Sequence, residues 1–231
     1  LGYIFEKYIN QKAFGAYYTR PEITQYLCQQ TIYKLILDKV NSLAEPANKQ
    51  QLGLYSSNND SLFLQRTYDS MADLLLSLDG YLCDKLWFVI LPSLKILDPA
   101  CGSGAFLVAA LKTLLNVYSA VIGKMETLGD KRLKEELDKI RSEHKSLNYD
   151  IKKRIITNNL FGVDLMEEAT EIAKLRLFMT LVSSVHHKDE LEPLPNIDFN
   201  ILAGNSLIGI INVDPQRFDK LDGEAAYQPS L

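Results

Sequence analysis

The sequence predicts an α/β fold: a parallel sheet, preceded by an N-terminal helical region and interrupted by a helical insertion. Three observations carry this. Short apolar runs at 94–98, 160–164 and 198–202 each end on or close to a polar residue. Helical patterns separate them, giving the order strand, helix, strand, helix, strand that right-handed crossovers wind into a parallel sheet. A tight turn, Pro99-Ala100-Cys101-Gly102-Ser103-Gly104, joins the first run to its helix.

The elements follow in order. Residues 2–12, with Tyr3, Ile4, Phe5, Tyr8 and Ile9, read as an amphipathic helix or arm. Thr19 and Glu22 have capping-box spacing, so a helix is expected over 20–40 with Thr19 as its N-cap. Pro21 suits a first turn. Residues 41–61 are polar and contain Pro46 and Gly53, the composition of a loop or insertion. Met71, Leu74, Leu75 and Leu78 predict a second helix over 68–78. The run 81–91 fits helix or strand equally. After the first strand, 105–122 is a long apolar helix. Residues 129–149 form a charged helical excursion with a solvated face, and 152–158 a short helical approach to the second strand. An amphipathic helix over 166–183 carries Ile172, Leu175, Phe178, Met179 and Val182. Pro193 and Pro195 mark a loop before the third strand. These elements divide the chain into a helical region at 1–93, a core at 94–212 with its insertion near 123–150, and a tail at 213–231.

Composition excludes several classes. The 231 residues are 47% hydrophobic and 23% charged, the balance of a soluble globular protein with a sizeable core. The most apolar stretch, 104–123, is broken by Lys112 and Asn116, which argues against a membrane span. No secretory leader is read at the start, and Leu1 in place of Met points to a native N-terminus further upstream. The three cysteines, Cys28, Cys83 and Cys101, have no metal-ligand spacing and suit a reducing, cytoplasmic compartment. Net charge is −4, although 124–154 holds ten Lys/Arg against seven Asp/Glu. A protein with this balance would meet nucleic acid mainly through surface outside these residues.

In a parallel sheet, ligands bind at the carboxyl ends of the strands. Here those ends carry Asp98, Asp164 and, just beyond the third, Asn205. Gly102 and Gly104 would let backbone approach a ligand closely. The Gly-Ser-Gly spacing is neither the dinucleotide fingerprint nor a phosphate loop. A carboxylate before the glycines suits an ammonium group better than a pyrophosphate. Asp164 is placed for ribose hydroxyls. A ligand with both a ribose and an amino-acid end is S-adenosyl-L-methionine. Plainer roles compete: a structural turn for the glycines, an N-cap for Asp164. Cys101 reads as a packing residue, and His144, His186 and His187 as surface residues.

Leu97-Asp98-Pro99-Ala100-Cys101-Gly102-Ser103-Gly104-Ala105-Phe106-Leu107 closely resembles the cofactor-binding motif of the adenine-specific DNA methyltransferases of restriction–modification and related phage-defence systems. Gly15-Ala16-Tyr17-Tyr18-Thr19 looks like their upstream motif. Gly162-Val163-Asp164, followed by Glu171-Ile172-Ala173-Lys174-Leu175-Arg176-Leu177, is similar to their second-strand region, and Gly204-Asn205-Ser206-Leu207-Ile208-Gly209 to their third. The four motifs stand in family order. The resemblance implies part of a class I S-adenosylmethionine-dependent (Rossmann-like) sheet. It also implies roles. Tyr18 and Thr19 would hold the methionine end. Asp98, Ala100 and Gly102 would line methionine and ribose, with Gly104 in the same cofactor-binding turn. Asp164 would take the ribose hydroxyls, Leu165 or Met166 the adenine face, and Asn205 the adenine edge.

The chain departs from the family in two places. Arg20 stands where Pro often follows the Thr. The Asn/Asp-Pro-Pro-Tyr/Phe catalytic motif is absent, and Asp214-Pro215 does not replace it. The 66 residues from Asp98 to Asp164 are accounted for by the insertion. The expectation is therefore the cofactor-binding portion of a site-specific DNA adenine N6-methyltransferase, inactive alone. Its partner would be DNA, with a nuclease or specificity domain possible elsewhere in the parent chain. Alternatives are a methyltransferase acting on cytosine N4, RNA or protein, and a non-catalytic cofactor-binding or scaffold subunit.

Overall fold

Three parallel strands, β1 (Ile96–Asp98), β2 (Leu160–Asp164) and β3 (Ile201–Ala203), lie in the order β1-β2-β3. The computed structural model describes residues 19–43, 67–143, 146–185 and 197–208. Asp98 is in register with Gly162, and Asp164 with Ala203, so the strands end close together along one rim of the sheet. The mixed helix and strand architecture and the parallel sheet agree with the sequence reading.

The helices before the sheet are α1 (Pro21–Ser42), α2 (Met71–Leu76), α3 (Gly80–Lys85), a π-helical turn (Leu86–Ile90) and α4 (Leu91–Ser93). Between β1 and β2 come α5 (Ala105–Thr127), α6 (Lys131–Glu143) and α7 (Leu147–Asn158), and α8 (Glu167–Val182) joins β2 to β3. The ambiguous run at 81–91 is thus helical. Asp79 caps it by accepting the Leu82 N–H at 2.8 Å, and the widened π turn falls just before Pro92, which has no N–H to give.

Four sequence expectations need correction. The N-cap of α1 is Arg20, not Thr19, and the Arg20 side chain makes no capping hydrogen bond. Pro21 occupies the first turn and biases its predecessor to extended backbone, so Arg20 takes the boundary position and the capping box does not form. Asn41 belongs to α1 rather than to a loop. Its side chain pairs with both backbone groups of Tyr68, at 3.0 and 2.8 Å. The third strand starts at Ile201 because 198–200 form a turn. Asn200 anchors that turn through Nδ2 to the carbonyls of Ile156, Thr157 and Leu160. Finally, α6 is not merely a solvated charged face: Leu133, Leu137 and Ile140 are buried. The expectations for 2–12, for most of 41–61, and for the three histidines fall outside the described residues.

One continuous apolar cluster runs from Cys28 on α1 to Ile201 on β3. Its axis is α5, whose Leu107, Leu111, Leu114, Val117 and Val121 are buried. Among the described residues α5 alone is long and apolar enough to cross a bilayer, but 56% of its apolar window is buried inside the protein, as in a core helix. Trp87 ties the insertion to this core. It meets Tyr118 edge-on at 5.5 Å, donates its indole N–H to Glu136 at 3.2 Å and lies under the Arg154 guanidinium.

Candidate functional site

The β1–α5 turn is built by its two left-handed glycines, Gly102 at φ +50° and Gly104 at φ +80°. They serve different ends. A Cβ on Gly104 would stand 3.0 Å from the Ala173 Cβ of α8, so this glycine permits helix-to-turn packing. A Cβ on Gly102 would meet nothing within 4 Å among the described residues, so this glycine needs no space for packing against them. Gly162 of β2 allows Cys101 underneath it, where a Cβ would come within 3.0 Å of the Cys101 Sγ. Burial, with the charges of Asp98 and Asp164, pushes the Cys101 thiol up to about 12. It stays protonated at neutral pH and serves as a packing residue, as its sequence context suggests.

The two aspartates differ. Asp164 accepts the Gly102 N–H on Oδ2 at 2.7 Å and the Met166 N–H on Oδ1 at 3.0 Å. It thereby joins the loops that follow β1 and β2. Asp98 accepts the Ala100 N–H on Oδ1 at 3.1 Å, while its Oδ2 is buried with no partner among the described residues. Burial raises the Asp98 carboxyl above the usual range; the Ala100 N–H opposes this and the nearby Asp164 charge adds to it. A buried carboxylate oxygen with an unmet acceptor valence suits a cationic donor.

Beside Asp98, residues of α1 and α5 enclose a cavity of about 270 Å³, lined by Leu27, Cys28, Thr31, Leu97, Pro99 and Phe106 among others. The helix that follows Thr19 therefore flanks the Gly-rich turn. A larger cavity, about 530 Å³, sits at the α5–α6 corner among Met125, Leu128, Lys134 and Arg141. It includes no residue from the strand ends. The rim is completed by Gly204, whose N–H bonds the Asp164 carbonyl at 2.8 Å, and by Asn205, whose Oδ1 accepts the Leu207 N–H at 2.9 Å. Leu165 is 74% exposed beside Asp164.

The structure thus brings Asp98, Ala100, Gly102, Gly104, Asp164, Leu165 and Asn205 to one rim. Thr19 lies at the entrance to α1, and Tyr18 falls outside the described residues. Spacing alone missed Arg176 of α8, which donates from Nη1 to both the carbonyl and the hydroxyl of Ser103, each at 2.9 Å. An arginine in an amphipathic helix gives no signal of a partner 73 residues upstream. The one clue is its position three residues after Ala173, on the same helical face.

Comparison with known proteins fits this rim. Residues 87–206, which run from Trp87 through the turn and both aspartates to the loop after β3, match the family described as MmeI, DNA-methyltransferase domain. The protein RM.MjaORFECS2P of Methanocaldococcus jannaschii, whose name assigns it to type II restriction enzymes and methyltransferases, is 34% identical over 226 residues. That match covers 92% of this chain and 16% of the relative. The type II restriction enzyme and methyltransferase RM.Eco57I of Escherichia coli is 30% identical over 117 residues, 49% of this chain and 11% of that protein. The chain therefore spans less than a fifth of either relative. With more than half of its length matched by the family, and with relatives drawn from restriction–modification systems, the chain belongs to the MmeI DNA-methyltransferase domain family.

Proposed function

We propose that the rim formed by β1, β2 and β3 binds S-adenosyl-L-methionine, and that the chain is the cofactor-binding portion of a DNA adenine N6-methyltransferase. The observation that carries this is the buried Asp98 Oδ2, without a partner among the described residues, beside a left-handed turn that is open among those residues at Gly102. A carboxylate in that state fits the ammonium of an amino acid, and an open turn admits a ligand against backbone. Asp164, one strand over, carries the second half of the ligand, the ribose. Thr19 and Tyr18 belong with the methionine end, Leu165 with the adenine face and Asn205 with its edge. Ala100 and Gly104 shape the turn. When bound, the cofactor supplies a methyl group on a sulfonium. The residues of this chain bind and orient it.

The names of the relatives pair restriction with methylation, which supports DNA as the substrate and a nuclease or specificity domain in the same polypeptide. The adenine reading rests on the motif resemblance. Titration calorimetry should show heat on adding S-adenosylhomocysteine and none on adding NAD⁺. The absence of any S-adenosylhomocysteine binding would remove the cofactor assignment. Nucleoside analysis of DNA treated with the longer parent protein should show N6-methyladenine, and N4-methylcytosine in its place would overturn the adenine assignment.

A further inference from the structure

We infer that Arg176 is a positioning residue that sets the outgoing limb of the Gly-rich turn and so tunes affinity for the amino-acid end of the cofactor. The inference rests on the cofactor reading above. Its basis is how the turn is held. The incoming limb is fixed from β2: the Cys101 N–H bonds the Val163 carbonyl at 2.9 Å, and the Gly102 N–H bonds Asp164 at 2.7 Å. The middle is closed by the Gly104 N–H on the Cys101 carbonyl at 2.8 Å. The outgoing limb is gripped by α8. Ala173 packs against Gly104, and one turn later Arg176 reaches Ser103.

The contact has the form of a clamp rather than a surface tether. Ser103 is 1% exposed, and a single guanidinium nitrogen takes both its carbonyl and its hydroxyl at 2.9 Å. Ser103 lies between two residues of positive φ, a stretch of backbone with several accessible conformations once released. Guanidinium donors to neutral oxygens are charge-assisted and directional, so they select one of them. Loss of the clamp leaves Gly102 pinned to Asp164 and takes from Ser103 the two bonds that tie it to α8. The ribose side of the site, at Asp164, is held by bonds that do not involve Arg176, whereas the backbone that follows Gly102 is set in part by the guanidinium.

The test compares S-adenosylhomocysteine with adenosine, which lacks the amino-acid end. Titrations use the wild-type chain, Arg176→Met, Arg176→Lys and Ser103→Ala. Arg176→Met should weaken S-adenosylhomocysteine about tenfold, the scale of one lost charge-assisted hydrogen bond, and leave adenosine within about twofold. Arg176→Lys, which keeps a charged donor, should recover part of the loss. Ser103→Ala removes one of the two acceptors and should lose about threefold for S-adenosylhomocysteine only, which gives a reading even if Arg176→Met folds poorly. Unchanged S-adenosylhomocysteine affinity in the Met and Ala variants overturns the inference. Equal losses for both ligands also overturn it, because they mean a general structural role. No binding by the wild-type chain instead overturns the cofactor reading beneath it.

Discussion

Asp164 Oδ2 accepts the Gly102 N–H at 2.7 Å, so the carboxylate that ends β2 holds in place the glycine that opens the turn after β1. Its other oxygen takes the Met166 N–H at 3.0 Å. Asp164 is therefore both a candidate ligand for a ribose and a strut between two loops. Asp164→Ala removes both functions. Binding of S-adenosylhomocysteine should weaken by about 1.5–3 kcal/mol, the range for hydrogen bonds to a charged group. The melting temperature should fall too, because two backbone donors lose their acceptor. Calorimetry with a parallel thermal melt reads both, and wild-type affinity in the variant would remove Asp164 from the site.

The two glycines of the turn should separate stability from binding. At Gly104 an alanine meets left-handed strain and the Ala173 Cβ at 3.0 Å together. Gly104→Ala should cost about 2–4 kcal/mol of stability, read as a lower denaturant midpoint. At Gly102 the added Cβ has space, so the φ of +50° alone opposes it. Gly102→Ala should cost only about 1–2 kcal/mol in stability, while Gly102→Val should abolish cofactor binding and leave the fold largely intact. Normal binding by Gly102→Val with an unchanged melting temperature would make the turn purely structural.

The contrast shows what a sequence can and cannot convey about such a site. The run Leu160-Phe161-Gly162-Val163-Asp164 predicts its strand to the residue, because four consecutive apolar positions followed by a carboxylate fit a buried parallel strand. The turn and both strand-end aspartates are legible for the same reason: strand period and glycine spacing are local. The start of β3 is not, because Asn200 leaves the strand to satisfy three carbonyls near the end of α7, which are distant in sequence. Neither is the failed capping box, where the conformational restriction from Pro21 outweighs a favourable Thr-x-x-Glu spacing. The clamp of Arg176 on Ser103 lies furthest from sequence reasoning, since only tertiary packing brings α8 against the turn.

Asp98 should carry a measurable pH signature. Burial raises its folded-state pKa above the unfolded value near 3.8. A carboxyl with a raised folded pKa favours the folded state fully below the unfolded value, and that advantage is lost as pH rises through the folded pKa. Asp98→Asn has no such titration. The melting temperature of the wild type should therefore fall relative to Asp98→Asn as pH rises from about 4 toward neutrality. At pH 7 the variant should be the more stable protein and the poorer binder of S-adenosylhomocysteine, a trade typical of a binding group held in a costly state. Parallel melting curves for the two proteins across that range would show that Asp98 is solvated as an ordinary surface carboxylate.

The last expectation concerns catalysis. Methyl transfer to a base within duplex DNA requires the base to be extruded, held by partners for its exocyclic amine and stacked on an aromatic ring. The 231 residues contain no Asn-Pro-Pro-Tyr segment to provide those groups, and their net charge of −4 offers no overall attraction for phosphates. The edge of β1 opposite β2 is also unpaired among the described residues, with Leu97 60% exposed beside the cavity at Asp98. A strand edge in that state favours association. A longer chain that carries the motif should lay a further strand on this edge and place the amine-binding groups next to the cofactor rim. It should aggregate less as well as act. Tritiated methyl transfer to mixed-sequence duplex DNA, measured for both lengths at saturating S-adenosyl-L-methionine, separates the possibilities. The longer chain should transfer label and the 231-residue chain should not. Robust transfer by the shorter chain would place the catalytic groups among these residues, with Asp214-Pro215 the first to substitute.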